Sequence, residues 1–176
     1  EAQPGWQVPN YRNIDTIGPA GSINSCVVDM ANWLRMNLNG GKFKDRQVVS
    51  EAALRENHSA QMPLIPAAMM MPPLETHPEV GQASYGFGWF VTQYRGHRWL
   101  HHGGSIDGFD AMVSLLPREK IGVVVLSNLG GRMVSNIVAC QVNDRLLGLE
   151  PLDWNTTWRE FYATVLGEID KANDKL

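Results

Sequence analysis

The clearest pattern of hydrophobic and polar positions lies in the second half of the chain. Apolar side chains alternate with other residues, as in a half-buried strand, at Phe109, Ala111, Val113 and Leu115. A nearly continuous apolar run follows at 121–126, which is typical of a strand covered on both faces. Short turns separate these segments, so they predict an antiparallel meander. The predicted strands are 85–92, 97–104, 109–116 and 121–127.

Helical spacing predicts helices on both sides of this meander. Ser25 is a candidate cap for a first helix, and Ser50 for a second helix that ends near Asn57. A third helix is predicted over 132–147, and a last one begins near Asp153. The third helix carries an apolar stripe suited to packing on a sheet: Val134, Ile137, Val138, Val142 and Leu146. The fold class predicted from these elements is α+β, an antiparallel sheet with packed helices.

Three segments are predicted along the chain. Residues 1–15 are polar and irregular, 16–150 hold the sheet and its helices, and 151–176 form a helical extension. Within the middle segment, 62–82 contains five prolines and three successive methionines, which indicates a long loop.

Composition narrows the function classes. The chain has 176 residues, 44% of them hydrophobic, which suffices for one domain with a core. The net charge of −3 argues against a nucleic-acid partner. No apolar run approaches the roughly 18 residues needed for a membrane span. The two cysteines, Cys26 and Cys140, are expected to be buried thiols rather than a disulfide.

Candidate chemistry is concentrated at His101, His102, Gly103, Gly104 and Ser105. Neighbouring strand residues point to opposite faces, so the two histidines are poorly placed to share a metal ion, and no metal site is predicted. His102 is a candidate acid or base. The two glycines either leave a backbone edge open to a substrate or form a bulge before a tight turn, and the spacing does not decide between these alternatives.

The motifs of the chain resemble a known family. They are Tyr85-Gly86-Phe87-Gly88-Trp89, the stretch from His102 to Phe109, Leu116-Pro117, the stretch from Gly122 to Asn128, and the segment from Gly18 to Ser25. Together they are similar to the C-terminal part of the serine β-lactamase and penicillin-binding-protein superfamily, in its class C-like branch of esterases and peptidases. The resemblance covers roughly 15–150. It implies the C-terminal half of a β-lactamase/transpeptidase-like fold, without a cofactor, and a periplasmic or secreted location.

The resemblance also implies roles for individual residues. His102 takes the place of the lysine in the family's Lys-Thr-Gly motif, and the backbone N–H of Ser105 would complete an oxyanion hole. Gly103, Gly104 and Asn128 are then candidate substrate-binding residues. A neutral imidazole in place of the lysine is a weaker anchor for a substrate carboxylate, which casts doubt on β-lactams as substrates.

The sequence departs from the family in one decisive respect. It contains no Ser-x-x-Lys tetrad, which holds the family's nucleophile. We therefore expect a C-terminal fragment of a serine hydrolase that transfers the acyl group of an ester, peptide or β-lactam. The isolated chain is expected to be inactive. The alternative is a non-catalytic module that binds a peptide or a cell-wall fragment.

The uncharged run at 121–127 predicts an association. An unpaired apolar strand edge is a template for another chain. We expect this edge to be covered by a second copy, by a missing N-terminal half, or by residues 1–15. The expected ligand is a small-molecule or peptide substrate.

Overall fold

The computed structural model describes residues 10–64, 77–130 and 134–173, with side chains up to residue 164. After a 3₁₀ turn at Asp15–Ile17, the helices are α1 (Gly18–Gly21), α2 (Val27–Leu38), α3 (Glu51–Asn57), α4 (Val134–Leu147) and α5 (Trp154–Asn173). The strands are β1 (Lys42–Phe43), β2 (Arg46–Gln47), β3 (Met62–Pro63), β4 (Ser84–Tyr85), β5 (Phe90–Tyr94), β6 (His97–Ile106), β7 (Phe109–Leu116) and β8 (Ile121–Ser127).

Six of the strands form one antiparallel sheet in the order β3-β4-β5-β6-β7-β8, while β1 and β2 form a separate hairpin. The sheet is the predicted meander, and the α+β fold class is confirmed. β7 and β8 have the predicted bounds, whereas β6 runs two residues further than predicted. Both residues of the β6–β7 turn, Asp107 and Gly108, have positive φ, as tight hairpin turns require.

The predicted strand at 85–92 is wrong. The structure has a hairpin there, in which Tyr85 of β4 pairs with Phe90 of β5. Gly86 donates its N–H to the carbonyl of Trp89, and Gly88 has a φ of 78°, so the chain reverses within 86–89. Alternating aromatic residues and glycines suit a strand and a tight turn equally well, and the tertiary contacts of the turn decide the outcome.

Helices cover both faces of the sheet. On one face, Trp99 and Met112 pack with Cys140 of α4 and Trp154 of α5. On the other face, Leu100 and Leu115 pack with Leu34 of α2 and with Trp89. Trp99 and Leu100 are consecutive residues of β6, and they pack on different faces because successive side chains of a strand alternate.

The apolar stripe predicted for the third helix is only partly buried, with Ile137 and Val142 packed against the core. The buried residues of α4 are Ser135, Asn136, Ala139, Cys140, Asn143 and Asp144. Val138 and Leu146, which belong to the predicted stripe, are exposed. Polar partners on the sheet explain the difference, because Asp110 accepts hydrogen bonds from Ser135 and the hydroxyl of Ser114 accepts one from Asn143.

Near α2, the structure corrects two expectations. Cys26 rather than Ser25 is the N-cap of α2, and it is exposed with a free thiol. The two cysteines were expected to be buried thiols, and this holds only for Cys140. The second helix has the predicted bounds, and the hydroxyl of Ser50 accepts the cap hydrogen bond from Ala53.

A buried ion pair joins the C-terminal extension to the sheet. The carboxylate of Asp144 in α4 accepts a hydrogen bond of 2.6 Å from the Tyr94 hydroxyl and one of 3.0 Å from Arg95. Its second oxygen accepts from the backbone N–H of Leu152 and from the indole of Trp154. Burial raises the pKa of Tyr94, so its hydroxyl remains a donor to the carboxylate.

β8 pairs only with β7 in the part of the chain that the structure describes. Of residues 1–15, those from 10 onward contact the β6–β7 hairpin, where Tyr11 stacks on Phe109 and Arg12 pairs with Asp107. Residues 1–9 and the three successive methionines lie outside the described residues. No helix within the described ranges is long and apolar enough to cross a membrane.

Candidate functional site

The candidate site lies where β6 extends beyond its neighbour β5. The pairing of β5 with β6 ends at Phe90 and His101, whereas the pairing of β6 with β7 continues to Ile106. Residues 102–106 therefore have a strand partner on one side only, among the residues that the structure describes. Gly103, Gly104 and Ser105 in this segment are exposed. Such an edge can pair with an extended ligand by strand addition.

The two histidines of this strand occupy different environments. The ring of His101 is buried between Trp99 and Phe90, with ring centroids 3.8 Å and 5.2 Å away. Burial, with a smaller contribution from His102, lowers the pKa of His101 to about 3, so this ring is neutral at physiological pH. His102 is half-buried next to the exposed glycines, and its ring also contacts Phe90, with centroids 5.5 Å apart. His102 is therefore the histidine at the open edge.

The imidazole of His102 has a partner at each nitrogen. Nδ1 lies 2.7 Å from the carbonyl oxygen of Gly103, and Nε2 lies 3.0 Å from the hydroxyl of Tyr85. A carbonyl oxygen only accepts hydrogen bonds, so Nδ1 carries the proton. In the neutral ring, Nε2 then accepts the hydrogen bond from Tyr85. Phe90 packs against the rings of both residues.

The turn that follows Tyr85 is attached to the end of α3. The side chain of Asn57 donates 3.0 Å to the carbonyl of Phe87 and accepts 2.9 Å from the indole of Trp89, so it bridges the turn. A side chain at Gly86 would overlap the carbonyl of Ser59. These contacts fix the position of Tyr85 beside His102.

His58 at the end of α3 strengthens this attachment. Its side chain is buried. Its Nε2 lies 3.0 Å from Oδ1 of Asn37 in α2, and its carbonyl accepts a hydrogen bond from Arg98 in β6. Burial, followed by the charge of Arg98, lowers the pKa of His58 to about 4.

The remaining predicted site residues lie at the same end of the sheet. Gly103 and Gly104 pair in continuous register with Met112 and Ala111, which excludes the bulge that was one of the two alternatives. Ser105 is opposite Asp110 and has further interactions of its own. Asn128 is exposed and directly follows β8, two strands from β6 and thus about 10 Å away. The structure brings His102, the glycines and Ser105 together and leaves Asn128 apart.

Within residues 10–64, 77–130 and 134–173, no three His, Cys, Asp or Glu side chains are grouped so that they could hold a metal ion.

An antiparallel sheet between helices, with an imidazole and bare backbone at the open edge of an inner strand, defines a class: the α+β fold of β-lactamases and transpeptidases. The Beta-lactamase family model matches residues 1–140. The chain belongs to this family, within the serine β-lactamase and penicillin-binding-protein superfamily.

Individual relatives agree with this assignment. The chain is 27% identical over 177 residues to unguisins hydrolase ungD of Aspergillus violaceofuscus, covering 97% of this chain and 30% of that protein. It is 24% identical over 168 residues to protein flp of Staphylococcus aureus, covering 95% of this chain and 27% of that protein. The octameric penicillin-binding protein homologue from Pyrococcus abyssi is 25% identical, with a TM-score of 0.57 over 72% of this chain and 25% of that chain. The chain thus spans less than a third of the length of these relatives.

Sequence reasoning did not assign Tyr85 and Asn57 to the site. Tyr85 belongs to a quoted motif, but no spacing relates it to His102, 17 residues further on. The sequence pattern identifies Asn57 only as the end of a short helix. The two residues that it contacts, Phe87 and Trp89, are 30 and 32 residues away in the sequence.

Proposed function

We propose that this chain is the C-terminal part of a β-lactamase-like serine hydrolase that works by acyl transfer on an ester, peptide or β-lactam. In this proposal β6 supplies the substrate edge, with His102 in the place of the motif lysine. The backbone N–H of Ser105 stabilises the oxyanion. The nucleophile and its base come from residues outside this sequence.

The observation that carries the proposal is the open edge of β6. Beyond His101 the strand pairs only with β7 among the described residues, and it is exposed from Gly103 to Ser105. A substrate amide or ester can lie along this edge, with its carbonyl directed at a backbone N–H. An added Cβ at Gly104 would meet nothing within 4 Å, which indicates open space on the face of the strand that His102 shares.

The relatives support the chemistry without fixing the substrate. One of them is named a hydrolase, and the chain covers nearly all of its own length in that alignment. Acyl transfer requires a nucleophile with an adjacent base, and this sequence has no Ser-x-x-Lys tetrad. The relatives are more than three times as long as this chain, which leaves room for both groups elsewhere.

The second candidate function is a binding module that keeps the edge and performs no chemistry. The absence of a nucleophile in this sequence favours it. In that case a peptide or a cell-wall fragment would pair along β6 and remain uncleaved.

One experiment separates the two functions. The codons that precede Glu1 in the source gene are sequenced, and the extended protein is assayed with a nitrophenyl ester and with a short peptide. The proposal expects a Ser-x-x-Lys tetrad and ester hydrolysis. Gly104→Ala should lower kcat/KM about tenfold or more, because the new methyl group occupies substrate space. Glu160→Ala, on the exposed face of α5, is the surface control.

Each outcome of this experiment supports one of the two functions or contradicts the assignment of the site. A tetrad with turnover that Gly104→Ala impairs supports the hydrolase. Peptide binding without turnover, in a gene that encodes no tetrad, establishes the binding module. Turnover that Gly104→Ala leaves unchanged would contradict the assignment of the β6 edge as the substrate site.

A further inference from the structure

The side-chain contacts of His102 say more about the site than its sequence position does. Its two ring nitrogens both have partners within the chain: the carbonyl of Gly103 for Nδ1 and the hydroxyl of Tyr85 for Nε2. None of the ion pairs found among the described residues involves His102. The neutral ring therefore has its only N–H directed at the Gly103 carbonyl.

We propose that Tyr85 is a positioning residue that holds His102 in its Nδ1–H form, so that the site accepts an uncharged acyl substrate and offers no anchor for a carboxylate beside His102. The proposal rests on the proposed function for the identity of the substrate. Its first test requires no turnover, so the two can fail independently.

The hydrogen-bonding capacity of the pair supports this substrate class. The Tyr85 hydroxyl donates its proton to Nε2, which leaves its oxygen as an acceptor. The pair thus presents acceptor atoms and no N–H to the open edge. A carboxylate has only acceptor atoms, so neither member of the pair can donate a hydrogen bond to it in place of water. An ester, or an amide whose N–H points toward Tyr85, carries no such cost.

The position of Tyr85 is set by contacts of the turn that follows it and by Phe90. Asn57 bridges the turn after Tyr85 through Phe87 and Trp89. Phe90, which pairs with Tyr85 across the hairpin, packs edge-on against the tyrosine ring at 5.0 Å. Since β4 and β5 are joined by this short turn, its attachment to α3 fixes the hydroxyl relative to β6.

The tautomer is measured by long-range ¹H–¹⁵N NMR of the ring nitrogens, above the ordinary imidazole pKa of about 6.5. His102→Gln identifies the His102 signals by their disappearance. The expected spectrum shows a protonated Nδ1 and an unprotonated Nε2. Tyr85→Phe keeps the ring packing and removes the donor, so the signals should move toward the Nε2–H form, which is preferred by free imidazole side chains in water.

Tyr11→Phe is the matched control, because Tyr11 is 72% exposed and stacks on Phe109 away from His102. This control should leave the His102 signals unchanged. Dispersed backbone amide signals in each variant show that it is folded. Protonated Nε2 in the parent chain, or no change in Tyr85→Phe, would overturn the role of Tyr85.

The substrate class is tested with acetate as the carboxylate probe and chloride at equal ionic strength as the reference. In the parent chain, acetate should not shift the amide signals of Gly103 and Gly104 beyond the chloride reference. His102→Lys restores a cation, and the same amides should then respond to acetate. An equal acetate response in the parent chain and in His102→Lys would overturn the exclusion of carboxylates.

Discussion

His101 and His102 are consecutive residues of β6, and the rings of both contact Phe90, with centroids 5.2 Å and 5.5 Å away. His101 is 3% exposed and stacks between Trp99 and Phe90, whereas His102 is half-buried at the open edge and bonded to Tyr85. This difference in burial and in partners separates a structural histidine from a candidate functional one.

Alanine substitutions should separate the two histidines by stability and by activity. His101→Ala leaves a cavity between two aromatic rings, so we expect a loss of about 2 kcal/mol or more in the free energy of unfolding. His102→Ala should cost little stability. In a form of the protein that carries the nucleophile, His102→Ala should lower kcat/KM more than His101→Ala, measured on folded enzyme. Urea unfolding and ester hydrolysis check the two parts.

A register error would reverse this result. Equal activity losses, or a larger loss in His101→Ala, would place His101 in the substrate cleft. Since side chains alternate with a period of two, such a result would shift every assignment on β6 to the other face.

The sequence pattern predicted the elements that depend on contacts between residues close in the sequence, or on a regular repeat of buried positions. β7 and β8 have the predicted bounds because alternation and a continuous apolar run are direct consequences of burial. The helix capped by Ser50 has the predicted bounds because a cap is a contact over three residues. The meander then follows from short turns between the strands.

Elements fixed by distant polar partners could not be predicted in this way. The stripe on α4 was partly misassigned because buried residues of the helix, Ser135 and Asn143 among them, donate hydrogen bonds to Asp110 and Ser114, 25 and 29 residues away. The hairpin at 84–94 has the same origin, since α3 holds its turn. At the site, the resemblance pointed to His102, but its bond to Tyr85 could not be predicted from the sequence.

The two buried histidines predict an acid-sensitive fold. Burial lowers the pKa of His101 to about 3 and of His58 to about 4, from 6.5 in the unfolded chain. Below pH 6.5 the unfolded state therefore binds more protons, and stability falls as the pH falls toward the folded values. Stability is fully present above pH 6.5. We expect a decrease on the order of a few kcal/mol, measured by urea unfolding across this window.

Non-titrating replacements provide the check. His101→Phe keeps the aromatic stacking, and Nε2 of His101 has no hydrogen-bond partner among the described residues to be lost. His58→Gln retains a donor for Asn37. Each variant should flatten the pH dependence of the unfolding free energy. A slope unchanged in both variants would show that other groups cause the acid sensitivity.

The ion pair at Asp144 should dominate the attachment of the C-terminal extension. Asp144→Ala leaves the side chain of Arg95 without its buried partner, and leaves the indole of Trp154 with the Tyr94 hydroxyl as its acceptor. Removing one partner of a buried pair costs about 3–5 kcal/mol, so the melting temperature should fall sharply. Glu160→Ala removes an exposed acid from α5 and should change stability little. Similar effects of both substitutions would refute the role assigned to Asp144.

The edge of β8 should mediate association of the chain. This strand pairs only with β7 among the described residues, and it carries no charged side chain. Sedimentation at micromolar concentration should show a species larger than the monomer. Leu126→Lys places a charge at the exposed end of the strand and should shift the population to the monomer. Leu146→Lys, on exposed α4 surface, is the control.

A single monomeric species in the unsubstituted chain would contradict this expectation. It would also weaken the inference that a second copy, or another part of the hydrolase, normally covers β8.

Covalent labelling tests the central claim most directly. The account assigns the substrate edge to this chain and the nucleophile to residues outside it. The isolated chain is incubated with a fluorophosphonate and with a chromogenic ester, and its intact mass and early product formation are measured. We predict an unchanged mass and no burst of product, because no serine here has the lysine that the family pairs with its nucleophile. A fluorophosphonate adduct on any serine, or a stoichiometric burst, would contradict the account.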